Sequence, residues 1–268
     1  MKISLETMIK FFRRIRKQLL TENPPIGRAG KFSSHLIYTT REILIVLIGI
    51  LIAIQINNYN EEQKLLKIEI NMLAGLRFEL VSNLRELNHD FNDQQNFYQA
   101  TKNVHDYIQK KPLVVDSMYK DFFDCFRFNY FFPETSTYET IKSGNLDIIR
   151  SDKLKKLIIK VYESDYQRLI KKIDTRRNAA QLLFPYYQKH FRIKNLSEID
   201  IYAGIYLADR KAIAIPNDYA FLVNDSEYET LIIEALFGRS HFLHDYNNAI
   251  NDVKECITEI DRYLMNLD

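Results

Sequence analysis

Fourteen consecutive residues, Ile43 to Ile56, contain one polar side chain, Gln55. Such a run suits a membrane span, a secretion signal or the core helix of a soluble protein. At 1.5 Å per residue it makes about 21 Å of helix, short of the roughly 30 Å of a hydrocarbon core. The preceding segment, His35 to Thr40, carries no formal charge and extends the helix back to Leu36, which restores about 30 Å. Arg41 then falls inside the helix, and its long side chain can reach back to the interface. Glu42 either pairs with Arg41 near the headgroups or faces a partner helix, because an ionisable group at membrane depth turns toward protein or water.

The other two readings fail on local chemistry. A cleavable signal requires small residues in an A-x-A-like pattern, whereas Ala53-Ile-Gln-Ile-Asn-Asn58 offers none. A soluble core helix shows a polar stripe at 3.6-residue spacing, and this run is apolar all round. It is an uncleaved anchor held by the lipid bilayer, with Ile43, Gly49, Ala53 and Ile56 marking its length.

Charge sets its direction. Residues 1–57 hold nine Lys/Arg against Glu6, Glu22 and Glu42, and the rest of the chain holds 28 basic and 32 acidic residues. Basic flanks stay cytoplasmic. The sequence therefore predicts a cytoplasmic head at 1–34, a transmembrane helix at 35–57, and a periplasmic domain at 58–268 on a bacterial inner membrane. Within the head, Ile9, Phe12, Ile15 and Leu19 alternate with Lys10, Arg13, Arg14 and Lys17. That is the pattern of a basic amphipathic helix on an anionic leaflet, ended by Asn23-Pro-Pro-Ile-Gly27. The cluster is too short and too near the span for groove reading, so no nucleic-acid partner is expected.

Met8-Ile-Lys-Phe-Phe-Arg-Arg-Ile-Arg-Lys-Gln-Leu-Leu20, the anchor from Glu42 to Glu61, and Tyr138-Glu-Thr-Ile-Lys-Ser-Gly-Asn-Leu-Asp-Ile-Ile149 resemble an uncharacterised family of single-pass membrane proteins from Bacteroidetes bacteria. The resemblance implies topology and no activity. It also implies a start at the equivalent of Met8, which would make Met1–Thr7 an extension. Family members often carry Trp where this chain has Tyr59, and either ring suits the membrane–water interface.

Beyond the anchor the helical pattern continues. Leu66, Leu73, Leu76, Leu80, Leu84 and Leu87 recur at helical spacing, with Glu69, Arg77, Glu79, Arg85 and Glu86 between them as the polar face. Lys111-Pro112 breaks this helix near Gln109. Ser136-x-x-Glu139 reads as a capping box, with Gly144 closing that short helix. Ser151 starts a second long helix running to Leu183. Ile213-Ala-Ile-Pro216-Asn-Asp218 reads as a turn, and Ser226-x-x-Glu229 opens a last helix to the C-terminus. Few Gly and Pro and no alternating runs predict an all-α fold: a transmembrane helix continuing into an antiparallel bundle of long helices.

Signals for chemistry are sparse. His241-Phe-Leu-His244-Asp245 puts two imidazoles on neighbouring turns, a geometry that can hold Zn²⁺ or Cu²⁺ if further ligands converge. Glu86-Leu-Asn-His89 matches one element of a di-iron bundle and lacks its second copy. Lys142-Ser-Gly144 lacks the upstream glycine of a phosphate loop. The aromatic run Phe122, Phe123, Phe126, Phe128, Tyr130, Phe131, Phe132 suits core packing, a small-ligand pocket or a membrane-resting surface. Cys125 and Cys256 either pair as a disulfide or stay as buried thiols. Gly49 and Ala53 form a small-xxx-small pair through which two anchors can approach and self-associate.

No cofactor and no catalytic residue is expected. The leading expectation is a membrane-anchored periplasmic helical module that binds an unknown periplasmic or membrane protein, or senses a ligand. The alternatives are a periplasmic metal-binding protein or enzyme using His241 and His244, and an accessory subunit of an envelope or transport complex that contacts Glu42.

Overall fold

The protein is described by a computed structural model covering residues 10, 13–14, 30–111, 113, 116–144, 146–172, 178–194 and 212–267, with backbone only for 30–39 and 172. The amphipathic head, apart from Lys10, Arg13 and Arg14, lies outside these residues, as do the Asn23–Gly27 turn and Met1–Thr7. The chain falls into two compact units, Met1–Leu65 and Leu66–Asp268.

The architecture is all-α. Helix α1, Gly30–Lys110, is 81 residues long and contributes to both units. It ends as the Lys111-Pro112 break predicts, with Lys111 at a positive φ of 44°. In the second unit follow α2 (Met118–Asp124), α3 (Ser136–Gly144), a 3₁₀ turn (Leu146–Ile148) and α4 (Asp152–Ile159). A π-helix (Lys160–Tyr166) continues α4 into α5 (Gln167–Lys172). Then come α6 (Ala179–His190), strands β1 (Phe191–Lys194) and β2 (Ile213–Pro216), the single turn α7 (Tyr219–Leu222) and α8 (Ser226–Met265).

Side-chain contacts fix the pairing of the two long helices. Glu69 meets Tyr263, Arg77 meets Asp261, Asp90 meets Tyr246, Gln94 meets Arg239, and Gln109 meets Glu229. One series rises as the other falls, so α1 and α8 run antiparallel. Their apolar faces build two clusters. The first gathers Leu73, Leu76, Leu80 and Leu87 with Ile158, Tyr162, Phe242 and Val253. The second gathers Val104 and Ile108 with Phe122, Tyr187, Tyr228 and Ile232.

Two sequence expectations change. The second long helix does not reach Leu183 unbroken: Asn178 restarts it, its side chain accepting the Ala180 N–H as an N-cap. The segment read as a turn at Ile213 is instead a strand, paired antiparallel with β1 from Phe191↔Pro216 to Lys194↔Ile213. Its Ala214 and Pro216 point inward, an alternation too short to register as a pattern. The last helix opens at Ser226 as expected, with Asp225 as its N-cap, and Glu229 is engaged by Gln109.

Candidate functional site

Two acids that the sequence puts on the polar face of α1 are not solvated. Glu69 and Glu79 are buried, and from Glu79 onward a column of polar residues at helical spacing holds other segments. Glu79 accepts from the Thr137 N–H at 2.7 Å, the Ser136 hydroxyl at 3.3 Å, the Tyr138 N–H at 3.4 Å and the Tyr162 hydroxyl at 2.6 Å. It thus caps the first turn of α3, where N–H groups lack intrahelical partners. The local capping box is not made: Ser136 is the first helical residue and Glu79 does the capping from another helix. Gly75, one turn earlier on α1, allows this approach, since a Cβ there would stand 3.3 Å from the Thr137 methyl. Gly144 is the last residue of α3 and has no left-handed φ, so it does not act as the expected C′ cap.

Farther along the column the Asn83 amide donates to the Glu134 carbonyl and accepts from its N–H, both at 2.8 Å. Glu86 accepts from the Phe132 N–H at 3.1 Å, and Asp93 accepts from Asn129 at 2.7 Å. These bonds strap the non-helical segment 127–134 to α1. The aromatic run divides accordingly: Phe122, Phe123 and Phe131 are buried, whereas Phe132 and Tyr130 are exposed and stack at 6.1 Å.

Asp90, in this column, is buried and accepts from Tyr246 at 3.3 Å and Asn129 at 3.4 Å. Burial, with the nearby Glu86 charge, raises its carboxyl from 3.8 to about 6. The unfolded chain ionises first, so this group's contribution to stability is full below pH 4 and is lost as pH rises through 6. Asp90→Asn, which keeps an acceptor and removes the charge, should therefore stabilise the domain by about 1–2 kcal/mol at pH 7.5. The gain should vanish near pH 4, and urea unfolding at the two pH values checks both.

A second group of ionisable residues lines a cleft of about 380 Å³ between the π-helix with α5 and the middle of α8. Lys160, Ser164, Asp165 and Arg168 form one wall; Asn248, Asn251 and Asp252 form the other. In an α-helix, residues five apart point about 140° away from each other. The π-helix closes i→i+5 turns, and this brings Lys160 Nζ within 3.5 Å of Asp165. Lys160 also bonds Asp252, so one ammonium sits between two carboxylates. Asp165 is buried; desolvation and its hydrogen bond with Asp252 lift its carboxyl to about 6. At the other end Arg168 stands 3.9 Å from the buried Asp245.

Of the residues singled out from sequence, His244 and Asp245 each contact a residue of this cleft. His244 bonds Asn248 at 3.0 Å. His241 packs edge-on to Phe237 at 5.1 Å, and Asp245 faces Arg168. Among the described residues no three His, Cys, Asp or Glu converge to hold a metal. His89 meets Asp93 at 3.8 Å, and Lys142 meets Glu163 at 2.6 Å. Cys125 and Cys256 are free, buried and in different core clusters, so the disulfide considered from sequence is not formed. Sequence reasoning missed Lys160, Asp165, Arg168 and Asp252 because only a π-turn and a partner helix unite them.

In the first unit, Ile43, Gly49, Ala53 and Ile56 lie on α1 in the helical stretch long and apolar enough to cross a membrane. Glu42 is exposed.

The class defined by these observations is an all-α domain sharing a long helix with an exposed apolar stretch. The chain belongs to a family of unknown function, DUF6090, which it matches over residues 42–181, just over half its length. The uncharacterised family resembled by its sequence is thus found at that level. No curated protein and no solved structure matches this sequence.

Proposed function

We propose that this is a single-pass membrane protein whose N-terminus is cytoplasmic and whose helical domain, Leu66–Asp268, works in the periplasm by binding a ligand or partner. One observation carries the reading. Nine large apolar side chains between Ile43 and Ile56 are 45% to 61% exposed. Burying one such side chain contributes roughly 1.5–3 kcal/mol, so leaving nine half in water forgoes on the order of 10 kcal/mol. Lipid takes up that surface, and the basic excess of residues 1–57 supports the inside placement of the head. A binding role is favoured over catalysis because the cations and carboxylates of the cleft neutralise one another, an arrangement that holds a molecule and does not attack one.

The experiment is labelling with a membrane-impermeant maleimide in intact spheroplasts. Native Cys125 and Cys256 are buried, and burial pushes both thiols up to about 12, so the folded wild type should stay unlabelled. Exposed Lys254→Cys should label in intact spheroplasts, and exposed Arg13→Cys only after permeabilisation. The reverse order overturns the orientation. Recovery of the full chain in the soluble fraction overturns the span.

A further inference from the structure

The cleft between the π-helix and α8 has two unlike ends one helical turn apart. At one end Asp165 and Asp252 share the ammonium of Lys160. At the other, Arg168 is half exposed and stands 3.9 Å from Asp245. Asp165 and Arg168, three residues apart across the junction of the π-helix and α5, both line the cleft. On the opposite wall Asn248 and Asp252 stand four residues apart. The lining carries two cations and two carboxylates, so neither a bare anion nor a bare cation gains from its overall charge. A molecule that is neutral overall but charged at both ends gains at each. The volume, about 380 Å³, falls among small-molecule sites of about 300–1,000 Å³.

We propose that this cleft binds a small zwitterion of the amino-acid class, Arg168 taking its carboxylate and the Asp165–Asp252 pair taking its ammonium. Lys160 then acts as an internal stand-in: its ammonium lies between the two carboxylates, and a ligand ammonium displaces it. The paired form keeps two close carboxylates neutralised when nothing is bound. Asp245 holds Arg168 at the cleft mouth, and Asn248 supplies an amide between the two ends. The proposal rests on the reading that the Leu66–Asp268 domain works by binding. It does not depend on which side of a membrane that domain occupies.

The test is isothermal titration of the full chain in detergent with glycine, β-alanine, γ-aminobutyrate and the L-amino acids. Propionate and propylamine serve as single-charge controls. At least one zwitterion should bind in the submillimolar range, with both controls at least roughly tenfold weaker, since each charged contact contributes that much. Arg168→Gln should weaken binding by at least roughly tenfold. Lys160→Gln, which vacates the carboxylate pair, should strengthen it. Circular dichroism and the thermal midpoint establish that each variant is folded. The proposal is overturned by any of three results: no binding to wild type or Lys160→Gln, a control that binds as well as the zwitterions, or affinity unchanged by Arg168→Gln. Any of these leaves the maleimide result, and the topology read from it, standing.

Discussion

Glu79→Ala should cost the domain about 3–5 kcal/mol, read as a lowered urea midpoint with unchanged slope. The carboxylate is 2% exposed and collects four donors, two of them N–H groups in the first turn of α3. Truncation leaves those donors buried or half-buried without an acceptor, each costing about 1–3 kcal/mol where water does not replace it. It also removes the negative charge that the positive end of α3 favours. Glu79→Gln separates the two contributions. The amide keeps one acceptor oxygen but turns an NH₂ toward donors, so roughly half of the alanine cost should remain. Tyr162→Phe, which removes one of the four bonds at 2.6 Å, should cost about 1–2 kcal/mol. A wild-type midpoint for Glu79→Ala would mean that solvent satisfies α3 and that the cap is incidental.

The same residue shows how far the sequence could be read. The leucines at 73, 76, 80 and 87 predicted the buried face of α1, and they are fully buried. Lys111-Pro112 predicted where α1 stops, and Ser151 caps α4 through the Leu154 N–H at 3.3 Å as a start signal should. These features are legible because they depend on neighbours within one or two turns. The same logic places Glu79 in solvent, since a charged residue between leucines is ordinarily outward. What turns it inward is the N-terminus of a helix 57 residues later, which no local pattern encodes. Ser136-x-x-Glu139 failed for the matching reason: the local box lost to a stronger remote carboxylate.

The candidate cleft was less legible still. His244 and Asp245 stand out in the sequence as adjacent polar groups, yet each is engaged by a residue the pattern does not suggest, Asn248 and Arg168. Lys160 and Asp165 meet only because the helix widens to a π-turn between them. A five-residue spacing carries no signal in a sequence scanned for spacings of three and four. The cysteines illustrate the opposite error, in which two residues of pairable chemistry are placed in separate apolar clusters.

Arg239→Ala should rival Glu79→Ala, costing about 3–5 kcal/mol. Arg239 is 2% exposed on α8, between the two apolar clusters. Its guanidinium donates to the Cys125 carbonyl at 2.5 Å, the Arg127 carbonyl at 2.9 Å and Gln94 at 3.3 Å. It lies 5.4 Å from the centre of the Phe97 ring, a cation–π contact. Burial lowers its pKa to about 10, so it remains charged at neutral pH. One side chain thereby joins α1, α8 and the start of the strapped segment. Alanine leaves two carbonyls unpaired and a cavity where the longest buried side chain stood. Arg239→Met fills most of the volume and removes the cost of burying a charge, which offsets part of the lost hydrogen bonding. Its penalty should be smaller, about 1–2 kcal/mol. Both carbonyls accept from one terminal nitrogen of Arg239 and Gln94 from the other, so Arg239→Lys keeps the charge but loses the Gln94 bond and the planar fit, and its penalty should lie between those of methionine and alanine. Hydrogen exchange localises the effect: amides in 125–134 should lose protection in Arg239→Ala before those of α1 near Leu76 and Leu80 do. Uniform loss across both regions would show that Arg239 supports the whole bundle equally, and that the strap has no separate dependence on it.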